Sequence, residues 1–266
     1  GLYASLITGN ATIVKPHPKA ILPIAIFIAE IQKVLAENGF DVNTIQLAPD
    51  TNAHLITKQL AEHPDVKIID YTGSSAFGAY LESLESKGNT EKAGVNSVII
   101  DSVLDLRQVM RNLAFSVSLY SGQMCTAPQN IFIPETGITE ADGAVVPYET
   151  AVELLKNEVA ALALNPKMGA GTLGAIQNAN TLTRARNVKD LGGVVVLESP
   201  KVINPDFENA RICAPTILEL DAKDADIYEQ ELFGPIVLVV KTRNTEQSLH
   251  LAKLMAQKHG AITCGL

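Results

Sequence analysis

The sequence predicts an α/β protein, a parallel layer wound on both faces by helices and followed by a second α/β region. Three patterns carry that prediction. From the start to about Thr90, short β-branched runs alternate with helix-length stretches, the order that parallel βαβ units require. Beyond Thr90 the runs VNSVIID, NIFIP, APTILEL and GPIVLVVKT read as further strands. No repeat of fixed period and no low-complexity tract interrupts the pattern.

In chain order, ATIVKP reads as a first strand and Ile21 to Glu37 as a helix ended by Asn38-Gly39. NTIQLAP is the next strand, and Asp50-Thr51 is expected to start a helix running from Thr51 to Glu62. VKIIDYTG is a third strand, with a helix expected over Ala79 to Ser86. VNSVIID leads into an amphipathic helix from Leu104 to Tyr120, then a loop containing Cys125, then strand NIFIP. GITEADGAVVPYE reads as a surface loop, and Pro147 marks the start of a helix over Tyr148 to Leu164. LGGVVVLES, APTILEL and GPIVLVVKT are strands, and Glu246 to Lys258 closes the series as a helix.

Composition narrows the function. The 266 residues are 47% hydrophobic, enough for a large core, and 29 acidic against 21 basic side chains give a net charge of -8. That sign repels polyanions, so neither nucleic acid nor an anionic membrane is an expected partner, and small molecules are. The run AILPIAIFIAEIQKVL contains Pro23, Glu30 and Gln32 and reads as a buried amphipathic helix, not a membrane span. Cys125, Cys213 and Cys264 are too scattered for a disulfide framework or a metal site, and a reducing cytoplasm fits them best. Both ends break off in mid-pattern, which reads as an internal piece of a longer enzyme.

Several residues stand out chemically. Cys125, judged alone, reads as core filler, but it lies in SGQMCTAPQN, where Gly122 and Pro128 bracket a turn among polar residues and a thiol could face a cavity. A working thiol needs a base or a favourable field, and its stretch contains no histidine. TGSSAFG follows a strand and precedes a helix, an arrangement that holds a phosphate on backbone N–H groups near Gly73 and Ser74, or is simply a βα turn. Lys15 ends the first strand on its carboxyl side, where open α/β sheets bind ligands. Glu91 and Glu231 are carboxylates beside apolar or glycine-containing stretches.

Taken together and in order, GNATIVKP, YTGSSAFG, TEKAGVNSVIID, SGQMCTAPQNIFIP and EQELFGPI resemble the aldehyde dehydrogenase superfamily over essentially the whole chain. That family separates its general-base glutamate from its catalytic cysteine by 34 residues, and 125 - 91 = 34 here. The wording of the cysteine and glutamate motifs is similar to the branch of phenylacetic acid degradation. The resemblance implies a partial Rossmann-like cofactor domain over 1–92 and a partial catalytic domain over 93–266. It implies that Cys125 is the nucleophile toward a small aldehyde and that Glu91 activates water. It also implies that Lys15, Gly73 and Ser74 bind the ribose and pyrophosphate of NAD or NADP, and that Glu231 and Phe233 hold the nicotinamide end.

Departures from the family pattern sharpen the expectations. Pro18 stands where a glutamate commonly favours NAD, and His17 and Lys19 flank it, which leans toward NADP. TEKAGV replaces LELGGK around the base, so Lys92 and Val95 change its surroundings. The asparagine that completes the family's oxyanion site and its oligomerisation strand have no counterpart in the 266 residues, although the parent is expected to be a homo-oligomer. The competing readings are a noncatalytic dinucleotide-binding or interaction module and a coenzyme-A-acylating relative; retention of Glu91 argues against the latter, which needs no water-activating base.

Overall fold

A computed structural model describes residues 1–84, 88–92 and 94–266. The chain divides into two units, Gly1–Lys92 and Ala93–Leu266. In the first unit the order is α1 (Leu2–Ile7), β1 (Thr12–Val14), α2 (Ile21–Glu37), β2 (Ile45–Leu47), α3 (Thr57–Glu62), β3 (Ile69–Gly73), α4 (Ser75–Glu82) and β4 (Gly88–Lys92). The expected parallel pairing forms twice: β1 beside β2, with Val14 opposite Leu47, and β3 beside β4, with Thr72 opposite Glu91. Among the described residues these pairs are separate two-stranded sheets. Pro16 and Pro49, which lack N–H donors, follow closely on the three-residue strands β1 and β2 and keep the ladder short.

Three expectations need correction in this unit. The helix expected from Thr51 begins only at Thr57, because the Asp50 carboxylate turns to Lys15 and to the Ile56 N–H. Residues Thr51 and His54 instead form an isolated bridge. The helix expected over Ala79 to Ser86 starts at Ser75, where the Ser74 hydroxyl oxygen accepts the Phe77 N–H at 3.4 Å, and its expected end falls in residues 85–86, outside the described ones. The apolar helix α2 forms over the expected range, but only Ile28 is buried; Leu22, Ile26, Phe27 and Val34 remain exposed. The face of Ile21, Ile24, Ile28, Ile31 and Leu35 is the covered one, whereas those four side chains have no cover from the described residues. A polar segment, GNTEK, is the strand β4 that composition concealed.

The second unit continues with β5 (Ser97–Ile99), β6 (Ser102–Val103), α5 (Leu106–Ser118), β7 (Asn130–Pro134), β8 (Ile138–Glu140), β9 (Val145–Val146) and α6 (Tyr148–Ala163). Then follow α7 (Gly169–Leu173), α8 (Ala179–Asn187), β10 (Val194–Leu197), β11 (Thr216–Asp221), α9 (Ala225–Tyr228), β12 (Ile236–Thr242), α10 (Thr245–His259) and β13 (Cys264–Gly265). Six strands make one sheet in the order β10-β11-β12-β7-β5-β13, parallel except where β10 meets β11.

Alternation along the strands builds a core on each face of this sheet. Ile131, Ile133, Val237 and Val239 point to the side covered by α5 and α6, where Met110, Val117, Leu155 and Val159 are buried. Phe132, Leu238 and Val240 point the other way, against Tyr228 of α9 and Ala252 and Met255 of α10. The stretch expected to be a loop, Gly137 to Glu149, contains the antiparallel pair β8–β9, turned at Asp142-Gly143 with Gly143 at φ +83°. Short strands with charged and glycine residues between them left no apolar alternation to detect.

Phe132 is fully buried and meets the Tyr228 ring edge-on at 6.0 Å. Phe132→Ala is expected to lower the unfolding free energy by about 3–5 kcal/mol, read as a lower urea midpoint with an unchanged slope.

Candidate active site

The loop that presents Cys125 is shaped by backbone geometry first. Helix α5 ends at Ser118, and Tyr120, Ser121 and Gly122 follow with φ of 51°, 54° and 63°. Two non-glycine residues in the left-handed region require compensation. Buried Ser121 supplies it, its hydroxyl lying 2.8 Å from the carbonyls of both Leu173 and Cys213. Gln123 adds a second clamp: its amide nitrogen donates to the Tyr120 and Ala175 carbonyls, and its oxygen accepts the Gln177 N–H. A Cβ on Gly122 would stand 2.3 Å from the Gly234 carbonyl oxygen, so only glycine lets these two loops touch.

Beyond that turn the loop hangs on one side chain. Asn96 is buried just before β5, and its amide nitrogen donates to the carbonyls of Cys125 at 2.7 Å and Ala127 at 3.0 Å. Its side-chain oxygen accepts the N–H groups of Ile262 and Thr263, and its backbone carbonyl accepts those of Gln129 and Asn130. Gln129 then fixes the facing EQELFGP segment, accepting the Leu232 N–H at 2.7 Å and donating to the Gln230 carbonyl at 2.8 Å. Arg184 of α8 holds the same segment by donating to the Phe233 carbonyl at 2.7 Å.

The result is a narrow cleft whose walls include Cys125, Gly122, Glu231 and Phe233. Three of the residues expected to act together at the nicotinamide end are thus in one place. The Cys125 thiol is exposed, whereas Cys213 is buried and the burial pushes its thiol upward in pKa. Cys264, on the edge strand β13, is exposed. A roomier cavity of about 750 Å³ opens beside α7, against Asn204 to Ala210, and none of the expected residues lines it. The cleft lies at the amino ends of β5, β7 and β12, because Asn96, Cys125 and Phe233 each precede the strand they serve.

In the first unit the expected residues lie at the carboxyl ends of strands. Gly73 ends β3 and Ser74 caps α4, while Glu91 sits on the neighbouring β4, exposed and opposite Thr72. Lys92, the charged residue beside Glu91, is occupied elsewhere: its ammonium lies 2.7 Å from Glu82 and, with Thr90, holds that carboxyl below its usual range. Val95, the other changed neighbour, is 1% exposed and belongs to the core of the second unit. Lys15 follows β1 and pairs with Asp50 at 2.9 Å.

Sequence reasoning gave no site role to Asn96, Gln129, Arg184 or Asp50. The one sign available was an amide immediately before a strand, in VNSVII and APQNIF. Among the described residues no group of three or more His, Cys, Asp or Glu could hold a metal ion, and no helix is long and apolar enough to cross a membrane.

Comparisons with known proteins bear on the family and the fold. The model of the Aldehyde dehydrogenase family matches residues 1–255. The structure of an NAD-dependent aldehyde dehydrogenase from Burkholderia multivorans superposes with a TM-score of 0.93 at 44% identity, over 99% of this chain and 48% of that one. An NADP-complexed glyceraldehyde-3-phosphate dehydrogenase from Methanocaldococcus jannaschii shares the fold, with a TM-score of 0.72 at 22% identity, over 93% of this chain and 51% of that one. A 1-pyrroline-5-carboxylate dehydrogenase of Bacillus thuringiensis is 24% identical over 262 residues, 94% of this chain and 47% of the relative. The chain spans about half the length of these relatives.

The three thiols are expected to separate by reactivity. Limiting iodoacetamide at pH 8, followed by peptide mass mapping, should label Cys125 and Cys264 well before Cys213, whose burial and raised pKa both suppress thiolate. Early labelling of Cys213 would show that the Ser121 clamp does not hold in solution.

Proposed function

From the premise that the chain belongs to the aldehyde dehydrogenase family, we propose that its protein oxidises an aldehyde to a carboxylic acid through Cys125. The observation that carries this reading is the cleft in which an exposed thiol stands with Glu231 and Phe233, held by buried amides. In the reading, Gly1–Lys92 belongs to the cofactor domain and Ala93–Leu266 to the catalytic domain.

The chemistry follows from the residue types. The Cys125 sulfur attacks the aldehyde carbon and holds the substrate as a thiohemiacetal, then, after loss of hydride, as a thioester. A nicotinamide dinucleotide, when bound, supplies the hydride acceptor. Glu91 takes a proton from water, the hydroxide adds to the thioester carbon, and the sulfur leaves with the acid released.

The residues present fit the dinucleotide. Lys15 presents an ammonium at the carboxyl end of the β1–β2 pair, and the β3 turn into α4 presents Gly73 and Ser74, where N–H groups and the helix dipole favour a pyrophosphate. The Lys15 ammonium and the buried Asp50 carboxylate put a charged pair at this strand end. The Burkholderia multivorans relative, by its name NAD-dependent, supports NAD as the acceptor.

Finer aspects rest on the sequence alone. EKAGVNSV and SGQMCTAPQNIFIP support an aromatic aldehyde of phenylacetate breakdown, and the scattered cysteines support a cytoplasmic enzyme, a homo-oligomer by family resemblance.

Cys125→Ala is expected to abolish aldehyde oxidation in the full-length protein while leaving dinucleotide affinity within about twofold, measured by fluorescence titration; equal loss of both would assign the thiol a structural role. Glu91→Gln should stall hydrolysis, so that intact mass after aldehyde and dinucleotide shows the acyl adduct on the protein. A variant that turns over at the parent rate removes Glu91 from the reaction.

A further inference from the structure

The carboxylate of Asp50 has no counterpart among the residues assigned so far. Its side chain is fully buried at the carboxyl end of the β1–β2 pair, just past the point where the Ala48 N–H extends the ladder to the Val14 carbonyl. Oδ2 faces the Lys15 ammonium at 2.9 Å and accepts the Ile56 N–H at 3.3 Å, and Oδ1 is buried with no hydrogen-bond partner. Lys15 itself keeps 18% of its side chain exposed, so it can reach a ligand that Asp50 cannot.

A buried carboxylate with one unsatisfied oxygen is retained at a cost in stability, and at a ligand-binding strand end that cost points to a role. Two effects follow. The pairing fixes the ammonium at the strand end, ready to donate to a ribose hydroxyl. It also cancels the lysine charge, so the ammonium offers a hydrogen bond without offering a net positive field. An added phosphate dianion would meet the Asp50 charge at short range in poorly screened surroundings.

We propose that Asp50 makes the dinucleotide site select NAD over NADP by acting through Lys15, as a positioning and charge-setting residue that does not touch the ligand. This rests on the reading of Lys15 as the ribose-binding residue. It reverses the lean toward NADP drawn from Pro18, His17 and Lys19: His17 and Lys19 are exposed, and the Lys19 backbone N–H donates to the His17 ring. The selecting charge comes from the loop after β2 and not from the helix side of β1.

The test is direct binding of NAD+ and NADP+ to the full-length protein without aldehyde, by calorimetry or fluorescence. The parent should bind NAD+ more tightly, and Asp50→Asn, which keeps the shape and removes the charge, should move the ratio of the two dissociation constants toward NADP+ by about tenfold or more. The shift should shrink as salt is raised. Loss of a purely structural contact would weaken both ligands alike and leave the ratio unchanged, which overturns the proposal. So does a parent that prefers NADP+, a result that needs no folded variant. A parent that binds neither dinucleotide removes the reading of the site itself and is distinguishable from both.

Discussion

A single carboxamide, that of Asn96, holds the candidate site together. Its two N–H donors and its oxygen are all used, on Cys125, Ala127, Ile262 and Thr263. Because the amide is buried, each of these bonds replaces one that water cannot supply, and the loss of any partner would leave a polar atom stranded. The thiol is therefore exposed on a loop whose backbone is fixed from below, so exposure does not mean mobility. Gln129 repeats the device one step further, linking the cysteine loop to the segment that bears Glu231 and Phe233.

Strain and satisfaction are balanced in the same few residues. The left-handed run at Tyr120 to Gly122 reverses the chain between α5 and the cysteine, and the Ser121 hydroxyl, buried against two carbonyls, holds it there. The contact between Gly122 and Gly234 then sets how closely the two walls of the cleft approach. A network of backbone-directed side chains, more than any ion pair, defines the cleft geometry.

Much of this fold was legible because burial on both faces leaves a plain record: β7, β11 and β12 carry the apolar stretches IFI, IL and IVLVV, and α6 and α10 keep helical spacing between clear boundaries. What escaped had a physical reason. The polar strand β4 is specified by its partner β3, which supplies its hydrogen bonds, and not by its own side chains. The start of α3 was misplaced because Asp50, a good capping residue locally, is drawn to a lysine 35 positions earlier in the chain (50 - 15 = 35). Cys125, Glu231 and Phe233 stood out through motifs, but Asn96, Gln129 and Arg184 act on backbone atoms far away in sequence, and such contacts leave no local pattern. Lys92, which looked like a disturbance of Glu91, is tied to Glu82.

The cleft opens at the amino ends of its strands, against the usual habit of open α/β sheets. With five residues in β7, the opposite rim at Glu135 to Gly137 and at Arg243-Asn244 stands about 16 Å away across the core. The exposed carboxyl-side turns at Glu135-Thr136 and Arg243-Asn244 are accordingly where a fluorophore or an affinity handle could be grafted away from the candidate site.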